Sequence, residues 1–172
     1  MQQRLAQFLL LLGTSLLLAG CGFQLRGAGG VAVPEDWLSM HMVTGNPNSE
    51  FSREVKTSFA ANGVEWQDSI QTANYSIKLG PERFSQRNLS LNSEARAAEF
   101  ELTMRSTFSV RDSSGKTVIE DTTSSVVKQM ENDPRNVVGK AEEIRILKGE
   151  MRSELAQQIM RRIAFFAASQ EA

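Results

Sequence analysis

An alternation of apolar and polar residues between positions 99 and 111 is the clearest pattern in the chain. One set of alternate positions holds Phe100, Leu102, Met104, Ser106, Phe108 and Val110, and the other set holds charged residues, serine and threonine. Because successive side chains of a strand point to opposite faces, the pattern predicts a strand with one buried face and one face in water. Shorter alternations at residues 38–42 and 75–79 predict two strands before it.

The segment that follows this strand predicts a hairpin. Residues 112–116 contain the serine and glycine typical of a turn, and residues 117–130 are rich in threonine, serine and valine. We expect the second segment to return as a fourth, antiparallel strand. Pro81, directly after the second predicted strand, indicates an edge position or a bulge there, because proline donates no hydrogen bond to a sheet.

Two segments have the spacing of amphipathic helices. In the first, Phe51, Val55 and Phe59 recur every four residues, after a possible cap at Asn48 or Ser49 and before a stop at Asn62-Gly63. In the second, apolar residues keep helical spacing after Asp133-Pro134. They are Val137, Ala141, Ile144, Met151, Leu155, Ile159, Ile163 and Phe166.

The order strand, helix, three strands, helix predicts an α+β fold. The helix between the first two strands permits a parallel crossover, whereas the short connections of the last three strands predict an antiparallel meander. Two helices packed on one face of a four-stranded mixed sheet would form a two-layer sandwich. We expect one globular domain over residues 37–168 and a disordered tail at residues 169–172.

A short apolar run near the N-terminus precedes the only cysteine of the chain. Arg4, the run at residues 8–18 and the sequence Leu18-Ala19-Gly20-Cys21 have the layout of a lipoprotein signal peptide. We expect cleavage after residue 20, acylation of Cys21, and a glycine-rich tether at residues 21–36. The alternative is an ordinary secretory signal with an incidental thiol.

Charge and residue content argue against several functional classes. The chain has 19 basic and 20 acidic residues, a balance that disfavours nucleic acid as a partner. His41, the only histidine, lies in a predicted strand, and nothing in the sequence pairs a nucleophile with a base or clusters metal ligands. We therefore expect neither an enzyme nor a cofactor or metal site.

Four segments resemble the LptE family of LPS-assembly lipoproteins, in the same order along the chain. They are Cys21-Gly22-Phe23-Gln24-Leu25-Arg26-Gly27, the turn and helix from Asn46 to Val64, Ala98-Glu99-Phe100, and Asn132-Asp133-Pro134-Arg135 running on to Lys140. The resemblance implies an outer-membrane lipoprotein that lies as a plug in the β-barrel translocon LptD. It also implies a role in delivering lipopolysaccharide to the outer leaflet, from an anchor on the periplasmic side. Gly22 after the lipidated cysteine is compatible with sorting to the outer membrane.

Lipopolysaccharide carries phosphates, so its binding calls for accessible lysine or arginine side chains. Lys140 matches the basic residue that follows the Asp-Pro turn in the family, and a cation in the first turns of a helix gains nothing from the helix dipole. The alternative is a solvated lysine near Glu142 or Glu143. Further candidates are Arg96, before the third strand, and the expected loop residues Arg87 and Arg135.

Two other functions remain open. The protein could be a different envelope lipoprotein, such as a scaffold or an accessory of barrel insertion, without lipopolysaccharide binding. It could also be a lipid-modifying enzyme that uses His41 or a serine and lysine pair, although the sequence contains no recognisable catalytic motif.

Overall fold

The computed structural model describes residues 33–91, 97–131 and 137–170. Within these ranges the chain forms six strands and two α-helices, together with short 3-10 turns at Glu35–Trp37 and Ile70–Thr72. In chain order the elements are β1 (Ser39–Thr44), α1 (Glu50–Ala60), β2 (Glu65–Trp66), β3 (Tyr75–Leu79), β4 (Arg83–Leu91), β5 (Ala97–Asp112), β6 (Thr117–Glu131) and α2 (Val137–Gln170).

All six strands belong to one mixed sheet with β5 as its longest member. β1 runs parallel to β2 and β3, whereas β3, β4 and β6 all run antiparallel to β5. Residues 97–105 of β5 pair with β4, and residues 108–112 pair with β3. Because β6 pairs along almost the whole of β5, β3 and β4 share the other edge of β5. Residues 80–82 interrupt that edge, and we call them the β3–β4 break.

The α+β class, the mixed sheet and the two helices agree with the sequence, but four strands were too few. β2 has only two residues, which is too short for any periodic pattern. β4 was missed because its side chains from Ser85 to Leu89 are all exposed, so no alternation of buried and exposed residues marks it. Of the two alternatives predicted from Pro81, the bulge is confirmed, since residues 80–82 lie opposite only Ser106 and Thr107 of β5. The edge position is wrong, because β3 is paired on both sides.

Helix α1 begins and ends where the sequence indicates. The Oγ of Ser49 accepts a hydrogen bond from the backbone nitrogen of Ser52 at 3.0 Å, which caps the helix. Gly63, with φ of 90°, follows the helix end, a conformation that glycine adopts without strain. Phe51, Val55 and Phe59 are buried and turn the apolar stripe of the helix into the core.

The core lies between one face of the sheet and the two helices. On β5 the predicted apolar set is buried in full, from Phe100 to Val110. Helix α2 packs over β5 and β6 and against α1. Its buried side chains include Met151, Leu155, Ile159 and Ile163. Cross-strand register assigns the intervening positions to the opposite face, which we call the open face: Arg83, Ser85 and Arg87 of β4, Glu101, Thr103, Arg105 and Thr107 of β5, and Thr123 and Ser125 of β6.

Helix α2 continues to Gln170, so Ser169 and Gln170 of the expected tail are helical, while residues 171–172 lie outside the described ranges. Near this end, the ring of Phe166 makes an edge contact with Trp37 at a centroid distance of 5.9 Å. Trp37 also stacks on Tyr75 at 3.9 Å. In the part of the chain that the structure describes, no helix has both the length and the apolar character of a membrane span.

Candidate functional site

The end of the sheet where β4 ends and β5 begins carries two of the cations predicted to bind lipopolysaccharide. Lys140 lies in the first turns of α2, as expected, and Arg87 lies on β4. Arg96 immediately precedes β5 in sequence and Arg135 lies two residues before α2, but both are outside the described residues. Cys21, the predicted lipidation site, is also outside them.

Lys140 is held against an aromatic ring. Its Nζ lies 4.0 Å from the centroid of the Phe100 ring, and Phe100 is only 7% exposed at the start of the buried face of β5. A cation over an aromatic face is attracted by the ring quadrupole, typically by about 0.5–1 kcal/mol at an accessible position. The contact therefore favours a position of the ammonium group beside the Phe100 ring.

Glu142, one of the two carboxylates proposed as alternative neighbours of Lys140, bonds to another cation. Both of its carboxylate oxygens accept hydrogen bonds from Arg145, at 2.7 and 2.8 Å. These bonds lower the pKa of Glu142 below its ordinary value. Lys140 therefore contacts the ring of Phe100, whereas the carboxylate of Glu142 is paired with Arg145.

Arg87 was expected in a loop and instead lies on a strand, because the sequence gave no sign of β4. Its Nε and Nη2 donate to the two carboxylate oxygens of Glu101 at 2.6 and 2.9 Å. The hydrogen bonds from Arg87 lower the pKa of Glu101, and those to Glu101 raise the pKa of Arg87. Two parallel bonds of this kind are how arginine binds a phosphate, so this capacity of Arg87 is already used.

Lys140 and Arg87 approach the same end of the sheet from opposite faces. Lys140 contacts Phe100 on the helix side, and Arg87 bonds to Glu101, the next residue of β5, on the open face. Because consecutive residues of a strand point in opposite directions, the two cations do not share one binding pocket.

Lys148 and Arg152 of α2 contact residues of β4 and of the β3–β4 break and were not singled out by the sequence. Lys148 Nζ lies 4.2 Å from the centroid of the Phe84 ring on β4. Arg152 bonds to Glu82 in the β3–β4 break and to Glu50 at the start of α1. Lys148 and Arg152 are four positions apart and are therefore neighbours on the surface of the helix, a spacing that can be read from the sequence.

His41 has a structural partner. Its Nδ1 lies 2.8 Å from the carbonyl oxygen of Gln67, so the ring donates a hydrogen bond that ties β1 to the segment after β2. Across the described ranges, no group of three histidine, cysteine, aspartate or glutamate residues is arranged to hold a metal ion.

The fold is shared with several solved lipoproteins. The rare lipoprotein B from Shewanella oneidensis matches with a TM-score of 0.68 and 23% identity, covering 77% of this chain and 98% of that one. A lipoprotein B from Nitrosomonas europaea matches with a TM-score of 0.71 and 19% identity, covering 86% and 94%. These similarities concern the fold.

Sequence comparison identifies the family. Two proteins named LPS-assembly lipoprotein LptE are similar over most of their length. The one from Photorhabdus laumondii is 26% identical over 155 residues, or 90% of this chain and 83% of the relative. The one from Pectobacterium atrosepticum is 25% identical over 166 residues, or 95% and 88%. The family model for LptE, described as lipopolysaccharide-assembly, matches residues 39–163, and the chain therefore belongs to the LptE family.

Proposed function

We propose that this protein is an outer-membrane lipoprotein that plugs the LptD β-barrel, assists its assembly and helps deliver lipopolysaccharide to the outer leaflet. The family match over residues 39–163 is the observation that carries the proposal. The names of the two relatives, which describe lipopolysaccharide-assembly lipoproteins, support it. The proposed role consists of binding and assembly, without catalysis.

The anchor in this proposal is Cys21. Signal cleavage after residue 20 frees its amine, and acylation of both the amine and the thiol attaches several acyl chains. One chain binds a membrane marginally, whereas two or more hold a protein stably. The glycine-rich residues 21–36 then tether the globular domain to the periplasmic side of the outer membrane and allow it to enter the barrel.

The open face suits a plug inside a barrel. The lumen of a large outer-membrane barrel is polar, so a surface within it has to offer hydrogen-bonding groups. Threonine and serine from β5 and β6 supply such groups at Thr103, Thr107, Thr123 and Ser125, and Thr107 and Thr123 already share a hydrogen bond of 3.1 Å. The open face can therefore exchange bonds with water for bonds with the barrel wall.

Lys140 is the principal lipopolysaccharide contact in this proposal. The ring of Phe100 holds its ammonium group near the surface at the start of α2, where it can pair with a phosphate. Arg96 and Arg135 are proposed to contribute from adjacent segments of sequence. Arg87 is the weakest member of the set, because Glu101 already accepts two of its hydrogen bonds.

Depletion of the protein in its own cells tests this function. We expect lipopolysaccharide to stop reaching the outer leaflet, as measured by its accessibility to a surface label, and a copy with an intact Cys21 to restore it. Normal transport after depletion would contradict the proposal and favour an envelope scaffold or a barrel-insertion accessory.

A further inference from the structure

Two arginines of the open face lie directly opposite each other. Arg83 of β4 and Arg105 of β5 are cross-strand partners, and both are exposed. Residues paired in this way have Cβ atoms about 4.5–5.5 Å apart, and like charges at directly opposite positions destabilise a sheet. An anion bound between the two guanidinium groups would remove this repulsion.

The protein does not supply that anion from the residues that the structure describes. Among them, neither Arg83 nor Arg105 has a side-chain hydrogen bond or ion pair. Two carboxylates close to them in sequence are paired with other cations: Glu101 accepts a hydrogen bond from Arg87, and Glu82 accepts one from Arg152. Strands β4 and β5 thus carry one arginine that is paired with a carboxylate, Arg87. They also carry two arginines, Arg83 and Arg105, that have no such partner among the described residues.

Both arginines line a cleft of about 320 Å³ beside the β3–β4 break, which we call the Arg83–Arg105 cleft. The described residues that line it include no acidic residue, and they include Thr107 and Thr123, whose hydroxyl oxygens lie 3.1 Å apart. Guanidinium groups and hydroxyls are donors that bind phosphate oxygens. The cleft therefore has the charge and the donors that a phosphate group requires.

The backbone fixes the position of this cleft. Gly80 donates from its nitrogen to the carbonyl oxygen of Thr107 at 2.8 Å, and a Cβ on residue 80 would lie 2.9 Å from that same oxygen. Only glycine permits so close an approach of two backbones. The Oγ of Ser106 adds a hydrogen bond of 2.9 Å to the carbonyl of Gly80. The break is therefore held against β5 at the residues that precede Arg83.

We infer that the Arg83–Arg105 cleft is a phosphate-binding site, with inorganic phosphate or the phosphorylated sugar of a glycolipid as its ligand. The glycolipid case rests on the proposed function and gives lipopolysaccharide a second contact. Arg105 lies five residues along β5 from Phe100, or roughly 16 Å at the rise of a strand, and faces the opposite side of the sheet. The cleft is therefore separate from the position of Lys140.

The test compares two charge-matched double variants of the mature protein, extracted from membranes in detergent. Arg83→Gln with Arg105→Gln removes the pair. Lys78→Gln with Arg111→Gln removes two other exposed cations from the same sheet face, at positions that do not line the cleft. Each protein is titrated with inorganic phosphate, with lipopolysaccharide and with lipopolysaccharide stripped of its phosphates, and the affinity and the unfolding temperature are measured.

We expect inorganic phosphate to raise the unfolding temperature of the wild type and of the Lys78/Arg111 variant but not of the Arg83/Arg105 variant. If the ligand is the glycolipid headgroup, the Arg83/Arg105 variant also binds intact lipopolysaccharide about tenfold more weakly than the wild type. The two proteins should then bind lipopolysaccharide without phosphates equally. If the Arg83/Arg105 variant loses the response to inorganic phosphate but binds lipopolysaccharide like the wild type, the cleft is a site for the free anion. Arg83→Lys with Arg105→Lys, which keeps the charge, should retain part of the binding and checks that the strands still pair.

The inference is overturned if the Arg83/Arg105 variant responds to phosphate and to lipopolysaccharide like the Lys78/Arg111 variant. If both variants still bind lipopolysaccharide, that result does not contradict the proposed function. Conversely, a wild type that binds phosphate through the cleft but shows no affinity for lipopolysaccharide would contradict the proposed function and leave the site standing.

Discussion

Arg152 joins α2 to the β3–β4 break through Glu82. Its Nε lies 2.7 and 2.9 Å from the two carboxylate oxygens of Glu82, and its Nη1 contacts Glu50 at the start of α1. The side chains of Arg152 and Glu82 are only 19% and 26% exposed. The hydrogen bond to Glu82 is the main reason why the pKa of Arg152 lies above its ordinary value. One guanidinium group thus connects both helices to the sheet.

Replacing Arg152 with glutamine should lower the free energy of unfolding by about 1–2 kcal/mol, because Glu82 loses a charged hydrogen-bond donor in a largely buried position. Thermal unfolding should shift down by about 3–6 °C. Arg145→Gln is the matched control on the same helix, since Arg145 and Glu142 are both well exposed and water replaces their contact. Equal unfolding temperatures for the two variants would contradict a structural role for Arg152.

The two faces of the sheet should respond differently to a new charge. Phe108 is 1% exposed on β5, whereas Val127 on β6 is 54% exposed. Phe108→Asp buries an unpaired carboxylate, which costs several kcal/mol against a total stability of about 5–15 kcal/mol, so this variant should not fold. Val127→Asp should fold like the wild type. Circular dichroism measures the secondary structure of both variants, and urea unfolding measures their stability. A folded Phe108→Asp protein would contradict the assignment of the buried face.

The strands and helices that could be predicted from the sequence are those with one buried side and one side in water. The alternation from Phe100 to Val110 can be recognised because one face of β5 is buried and the other, except at Ser109, is accessible to water. β4 has no such signal, since its side chains from Ser85 to Leu89 are exposed. Its existence follows from backbone pairing with β5, which a local pattern does not encode.

The same distinction applies to the candidate sites. Lys140 was found through a motif that is continuous in sequence. Its contact with Phe100 joins residues forty positions apart and depends on how α2 packs on β5. Likewise Arg83 and Arg105 are brought together only by the register of β4 on β5. A one-residue slip would put one of them on the helix side, so sequence spacing alone does not reveal the pair.

The β5–β6 turn should lose stability in acid. Oδ1 of Asp112 accepts hydrogen bonds from the hydroxyl and nitrogen of Ser114 and the nitrogen of Lys116, and the Ser114 hydroxyl is the main cause of its lowered pKa. A carboxyl group whose pKa is lower in the folded state stabilises that state above its ordinary pKa of about 3.9. The contribution is lost as the pH falls through the folded-state pKa.

Asp112→Asn keeps the shape of the side chain and removes its titration. The unfolding temperature of wild type should therefore exceed that of Asp112→Asn most at neutral pH, and the gap should narrow as the pH is lowered below 4. Asp121→Asn provides the control, because Asp121 is exposed on β6 and its carboxylate accepts no hydrogen bond within the described residues. A gap that stays constant with pH would show that the charge of Asp112 does not stabilise the turn.

Reversing the charge of Lys140 should weaken lipopolysaccharide binding about tenfold, because a carboxylate would then face the lipid phosphates. Lys148→Glu is a close control, since Lys148 makes the same type of ring contact two turns further along α2. Combining Lys140→Glu with Arg96→Glu should reduce binding further and leave association with the barrel unchanged. Titration with lipopolysaccharide measures the affinities. Equal affinities for Lys140→Glu and Lys148→Glu would remove Lys140 from the proposed site.

Co-purification of the acylated protein from its own membranes directly tests the proposed association with the LptD barrel. A tag at the C-terminus, far from Cys21 in sequence, allows gentle detergent extraction of the lipoprotein with its partners. We expect one large β-barrel protein to be recovered in a fixed ratio to the lipoprotein. Recovery of the lipoprotein without a barrel, under conditions in which barrels of the same membrane stay folded, would contradict it.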